Sequence, residues 1–215
     1  MEHTMKVIAR IHSDFPEKFG IPRQSGLVPA LRAKIVFEPE YRNPDALRGI
    51  EGFSHLWLIW QFSAAVRDTW SPTVRPPRLG GNERVGVFAT RSPFRPNAIG
   101  LSCVKLESVQ HEDGFGDVLI VSGADLMDGT PIFDIKPYLA YTDSHPEARG
   151  GFALTTDAVR VDCPAQLLEK LPQERRQTLL NVLAQDPRPG YQHEPGRVYG
   201  FPFAGFEVKF TVEGC

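Results

Sequence analysis

Gly100-Leu101-Ser102-Cys103-Val104-Lys105-Leu106-Glu107-Ser108-Val109 leads, after three polar residues, into Asp113-Gly114-Phe115-Gly116 and then Asp117-Val118-Leu119-Ile120-Val121-Ser122-Gly123. Two runs rich in branched apolar residues flank a glycine-containing turn signal, the pattern of a β-hairpin. A glycine-rich loop of the dinucleotide-binding kind would open a helix at this point. A strand-like run follows instead, so the glycines read as a turn and the chain as other than a doubly wound α/β fold. Working outward, strands are predicted over 6–11, 33–37, 53–62, 84–90 and 130–138, besides 100–109 and 117–123. Such spacing belongs to an all-β barrel or sandwich. Asn43-Pro44-Asp45-Ala46-Leu47-Arg48-Gly49 predicts a short helix, with Asn43 as N-cap, Pro44 at the first helical position and Gly49 as the stop.

The character changes after Ser144. Residues 146–151 are a polar connector and 152–161 predict one more strand. Residues 173–185 place Leu179, Leu180, Val182 and Leu183 on a helical face, and Asp186-Pro187-Arg188-Pro189-Gly190 ends it. Phe206, Val208, Phe210 and Val212 alternate with polar residues, as a half-buried strand does. The expected organisation is an all-β domain, barrel or sandwich, over 1–150 and a small α+β domain over 163–215.

The chain has 215 residues, 41% hydrophobic and 23% charged, the make-up of a globular protein. Its longest apolar run, Leu56-Trp57-Leu58-Ile59-Trp60, stops at Gln61, far short of the ~20 residues a membrane helix needs. The N-terminus lacks the basic-then-apolar pattern of a signal peptide. Cys103, Cys163 and Cys215 form no C-x-x-C pair, which suits a reducing cytoplasm. The six histidines lack metal-ligand spacing, so no metal is expected. The net charge is −2. Between Ser71 and Leu101, however, Arg75, Arg78, Arg84, Arg91 and Arg95 face Glu83 alone. A local basic patch of this kind suits phosphate contacts.

Four segments carry more special residues than scaffold needs. Ala89-Thr90-Arg91-Ser92-Pro93-Phe94-Arg95-Pro96-Asn97 is stiffened by prolines and armed with two guanidiniums, which match carboxylates and phosphates. Gly20-Ile21-Pro22-Arg23-Gln24-Ser25-Gly26 is a loop with a guanidinium and an amide. Arg75-Pro76-Pro77-Arg78-Leu79-Gly80-Gly81-Asn82 is a stiff stretch with a permissive end. Asp125-Leu126-Met127-Asp128-Gly129-Thr130-Pro131 combines two carboxylates with a strong turn signal, and taken alone reads as a hairpin connection.

Pro22-Arg23-Gln24, Phe53-Ser54-His55-Leu56-Trp57, Pro76 to Asn82, Gly86 to Asn97 and Asp128-Gly129-Thr130-Pro131 together resemble, in order, the YaeB/TsaA-like family of tRNA N6-threonylcarbamoyladenosine methyltransferases. The tail, Asp186-Pro187-Arg188-Pro189 and then Val198-Tyr199-Gly200, is similar to the longer bacterial members. Ala98 stands where many members have proline, and Ser63 where many have histidine. The resemblance implies a single-sheeted antiparallel β-barrel that binds S-adenosylmethionine without a Rossmann fold, and a homodimer with its sites near the subunit interface. It implies methyl transfer to N6 of threonylcarbamoyladenosine at position 37 of tRNA.

On the same footing, Pro22, Arg23, Gln24, Arg91, Leu101, Asp125, Leu126, Asp128, Gly129 and Thr130 are expected to line the cofactor site. Asp125, Asp128 and Tyr138 are the candidate catalytic groups, since a nitrogen attached to a carbonyl attacks more readily after losing its proton. Arg78, Arg95, Asn97, Lys136, Arg188 and Arg197 are the candidate contacts to substrate and tRNA. A non-catalytic β-barrel that binds nucleotide or RNA through the same arginines is the alternative.

Overall fold

The computed structural model describes residues 3–67, 69–153, 158–188, 192, 194 and 196–213. Its strands are β1 (Ala9–His12), β2 (Arg32–Phe37), β3 (His55–Gln61), β4 (Thr73–Val74), β5 (Val85–Gly86), β6 (Ile99–Glu112), β7 (Gly116–Ser122), β8 (Pro131–Pro137), β9 (Tyr199–Phe203) and β10 (Phe206–Phe210). Six of them form one antiparallel sheet in the order β1-β2-β7-β6-β3-β8. β8 pairs back onto β1, with Ala9 opposite Ile132 and Arg10 opposite Pro131, so the sheet closes and leaves no free edge. The predicted hairpin joins β6 to β7 through Asp113-Gly114-Phe115, with His111 opposite Asp117. Inward side chains alternate along each strand: Leu56, Leu58 and Trp60 on β3 meet Val104 and Leu106 on β6 and Leu119 and Val121 on β7 inside the barrel.

The register puts Gly100 directly opposite Trp60. A Cβ at residue 100 would stand 2.3 Å from a ring carbon of Trp60. Glycine therefore lets the indole lie across β6 and reach Ser102, two residues further along. The β3–β8 pairing shifts at the same place, between Ile59 and Trp60, with Phe133 of β8 left as the extra residue. Such breaks re-aim side chains. Gly100→Ala is expected to cost about 1–3 kcal/mol through overpacking. Chemical denaturation measures it, and an unchanged midpoint would contradict the packing.

Several expectations need correction. Residues 84–90 do not form a barrel strand. Val85–Gly86 pairs only with β4, and Val87–Ala89 turns in a 3-10 helix whose first N–H bonds Pro72 O at 2.9 Å. With β8 paired back onto β1, the barrel has no edge left to accept them. The sheet is not the sole one, since β4-β5 and β9-β10 make two small ribbons. Pro44–Leu47 is a 3-10 helix, and the Asn43 side chain caps it by accepting from the Asp45 N–H at 3.0 Å. Of the strand expected over 152–161, residues 154–157 lie outside the described residues and 158–161 carry no ladder. β9 was not anticipated, because Gly200 and Pro202 break its pattern.

The C-terminal part docks through a second core. Helix Gln173–Leu183 and the β9-β10 ribbon contribute Leu179, Val182, Phe201 and Phe203, which close over Phe15, Val28 and Leu31 from the connection between β1 and β2. That connection also contains the Pro22-Arg23-Gln24 loop. Among the described residues, no helix is long and apolar enough to cross a membrane.

Candidate functional site

The β1–β2 connection, the end of β3, the arginine–proline loop and the segment after β7 converge on one cavity of about 820 Å³. Pro22, Arg23, Gln24, Arg91, Arg95, Asn97, Leu101, Asp125 and Thr130 line it. Three of the four special segments therefore meet. Ser63, Phe94 and Met127 also line it, as do Lys18, Trp60, Phe62 and Phe88, none of which is among the candidate site residues of the sequence. The apolar ones read there as ordinary core.

The arginine–proline loop is held by its own side chains. Thr90 Oγ1 donates to Val87 O at 2.8 Å, and the Ser92 and Phe94 N–H groups donate to Thr90 Oγ1 and Ser92 Oγ at 3.2 Å each. Arg95 Nη1 donates to Thr90 O at 3.0 Å. Arg95 thus braces the loop while facing the cavity. The Arg67 guanidinium lies 3.6 Å from the Phe94 ring centre, a cation–π contact from outside. Arg91 donates to Gln24 Oε1, which ties this loop to the β1–β2 connection. On the far side, Arg23 Nη2 donates to Arg188 O at 3.1 Å and Asp186 O at 3.4 Å.

Among the described residues, Asp125 is the one carboxylate lining the cavity, beside four cationic chains, Lys18, Arg23, Arg91 and Arg95. It is largely buried, and burial pushes its carboxyl above the usual aspartate range. The Ser102 hydroxyl, backbone N–H groups of Asp125 and Ser25, and the Arg91 charge oppose that rise. Ser102 Oγ donates to Asp125 Oδ1 at 2.6 Å, and the Trp60 indole N–H donates to Ser102 Oγ at 2.9 Å.

The remaining candidates stand elsewhere. Leu126 is part of the barrel core, 1% exposed. Asp128 and Gly129 form a turn sewn to β1: Ser13 N–H donates to Asp128 Oδ1 at 3.1 Å and Gly129 N–H to Ile11 O at 2.8 Å. Tyr138 packs near Trp57 and His55, at the end of β3 opposite Trp60. Lys136 pairs with Asp134 at 2.9 Å on the same wall, opposite Trp57. Arg188 is buried, with its Nε 2.9 Å from Asp186 Oδ2. Arg197 is exposed beside Glu194 and over the Tyr199 ring. The Arg78 side chain lies outside the described residues.

Two family models match in tandem: the tRNA-methyltransferase O N-terminal domain over residues 10–144 and the TrmO C-terminal domain over 156–215. The chain belongs to the tRNA-methyltransferase O family. Among the family's relatives, the tRNA (adenine(37)-N6)-methyltransferase of Escherichia coli K12 is 44% identical over 95% of this chain and 91% of that protein. A putative S-adenosylmethionine-dependent methyltransferase of Pseudomonas aeruginosa is 44% identical over 98% of this chain and 93% of its own length. A crystal structure of TrmO from Pseudomonas aeruginosa superposes with a TM-score of 0.78 at 37% identity, covering all of this chain and 95% of that one.

Proposed function

We propose that this protein is an S-adenosylmethionine-dependent tRNA methyltransferase acting on N6 of adenosine 37. The observation that carries this reading within the family is the composite cavity, with one buried carboxylate among four cationic side chains. The donor set fits the cofactor. Asp125 complements a cationic sulfonium or ammonium, Arg91 and Arg23 suit a carboxylate, and Phe62 and Phe94 offer faces to an adenine. The volume is within the range that holds a ligand of this size. When bound, the cofactor supplies the methyl, the N–C bond forming as the S–C bond breaks and its electron pair returns to sulfur.

The chain's own groups do the rest. The braced arginine–proline loop holds the reactants in line, and positioning of this kind contributes about 7–11 kcal/mol to such reactions. Asp125 accepts the N6 proton, and its raised proton affinity brings it nearer the value a general base needs at neutral pH. The threonylcarbamoyl substrate form rests on the family resemblance. It carries a free carboxylate, for which Arg95 is the best-placed partner in the cavity wall.

Residues 1–150 are read as the methyl-transfer domain and 163–215 as its C-terminal companion. Arg197 and the Arg75–Arg84 stretch are proposed to meet tRNA, and Arg188 is left out because its guanidinium is engaged inside the chain. Exposed Phe88 and Leu101 on the cavity lining support a second copy covering the site. A cytoplasmic location follows from the substrate.

The test is direct. S-adenosylmethionine should raise the melting temperature by mass action. The purified protein should convert threonylcarbamoyladenosine in tRNA to its N6-methyl form, read by nucleoside mass spectrometry. A thermal shift without any methylated nucleoside would favour a binding protein. Absence of both effects would refute the reading.

A further inference from the structure

We propose that Trp60 and Ser102 are positioning residues, joined in a hydrogen-bond relay that fixes the Asp125 carboxylate and sets its proton affinity. The proposal rests on the role given to Asp125 above, but the relay is a property of the chain without ligand. The geometry is one line of donors. The indole N–H can only donate, so at 2.9 Å it occupies a lone pair of Ser102 Oγ. The hydroxyl proton is thereby left to point elsewhere, and Asp125 Oδ1 lies 2.6 Å away. Ser102 is 1% exposed and Trp60 7%, so the indole bond is shielded from water, while the bond to Asp125 is part-buried at the cavity wall. No proton travels along the relay. It holds the serine hydroxyl in its donor orientation and so stabilises the charged carboxylate.

Three features of the fold exist together at this point. Glycine stands opposite Trp60, the β3–β8 register shifts beside it, and a serine rather than an apolar residue occupies an inward position of β6. A valine or alanine at 102 would complete the apolar barrel core more simply. The arrangement instead places a polar pair in the core, which is tolerated only when fully bonded. The charged groups that face Asp125 or share its cavity are Arg91 and Arg95 from the arginine–proline loop, and Lys18 and Arg23 from the β1–β2 connection. The Ser25 N–H bonds it from that same connection. Burial raises the Asp125 carboxyl, and the Ser102 hydroxyl pulls it back. Ser102 is thus the adjustable side-chain contribution from inside the barrel.

Indole ¹⁵N NMR of the unliganded protein tests this. There are three tryptophans. The Trp57 indole donates to Asp143 Oδ2 at 2.9 Å and serves as an internal reference. The Leu139 N–H and that indole hold the Asp143 carboxyl below its usual value. The Trp60 resonance should titrate at a higher pH than the Trp57 resonance, and Asp125→Asn should abolish only the Trp60 titration. In Ser102→Ala the Trp60 titration should vanish, and the Asp125 carboxyl, followed by ¹³C, should titrate at higher pH than in the parent. Ser102→Thr should restore both.

In single-turnover methyl transfer, Ser102→Ala should be about 10-fold slower or more, the scale of a lost hydrogen bond to a charged group. Its acidic limb should move to higher pH. A Trp60 resonance that ignores pH in the parent, or still titrates in Ser102→Ala, overturns the relay. A titrating Trp60 with Asp125→Asn at full turnover leaves the relay standing and overturns the assignment of Asp125 as base.

Discussion

Phe201→Ala is expected to lower thermal stability and cofactor affinity together. Phe201 is 1% exposed and centres the second core, with ring centres 6.4 Å from Phe15, 6.1 Å from Phe19 and 6.0 Å from Phe210. Truncating such a ring costs about 3–5 kcal/mol through lost burial and the cavity left behind. The second effect follows from where the cavity would open. A Cβ at Gly20 would stand 2.4 Å from the Phe201 ring, so the ring lies flush on the backbone that starts the Pro22-Arg23-Gln24 loop. Three residues on, Arg23 reaches the same C-terminal part through the carbonyls of Asp186 and Arg188.

The loop is therefore shaped from the C-terminal side as well as by Gln24 and Arg91. Calorimetric titration of S-adenosylmethionine, at a temperature where the variant is folded, should show weaker binding. A lower melting temperature with unchanged affinity would mean that the barrel alone shapes the loop.

The sequence announced most of the barrel because its strands are branched or aromatic runs bounded by turn signals. β2 could be read from its period-2 pattern, and β3, β6 and β7 from their apolar runs and the Asp-Gly turn, within two or three residues. Residues 84–90 misled because Val85, Val87 and Ala89 mimic alternation, and nothing local reveals that the sheet is already closed. β9 was hidden by Gly200, which lies against Glu207 and Lys209, and by Pro202.

At the site, arginines and prolines in a short loop are loud signals. They brought Arg91, Arg95, Asn97 and Asp125 to one cavity. Asp128 carried the same chemical signal and went to a turn, since a carboxylate beside glycine serves a free backbone N–H equally well. Trp60 and Ser102 were silent. A tryptophan in an apolar strand and a serine between branched residues show their bond only once Gly100 is placed opposite the indole.

Asp125→Asn is expected to reduce single-turnover methyl transfer by about 10²–10⁴-fold, the usual contribution of a positioned base. The amide keeps the shape and can still accept from the Ser102 hydroxyl, but it cannot take a proton from N6. Stability separates this loss from misfolding. The folded-state carboxyl of Asp125 is raised by burial, so the parent binds that proton more tightly folded than unfolded. The corresponding stability is present at low pH and is lost as pH rises through the raised value.

The amide has no charge to desolvate, so the melting temperature of Asp125→Asn relative to the parent should improve as pH rises through that range. Parallel melts at acidic and neutral pH check the sign. Slow transfer with this crossover identifies a chemical defect in a folded protein. Transfer at the parental rate would leave Asp125 as a ligand for positive charge and move the proton to solvent. A loss of turnover accompanied by an equal loss of cofactor affinity would assign the carboxylate to binding. The two carboxylate roles therefore differ in a measurable way: a base lowers the rate at saturating cofactor, and a counter-ion raises the concentration of cofactor needed to saturate.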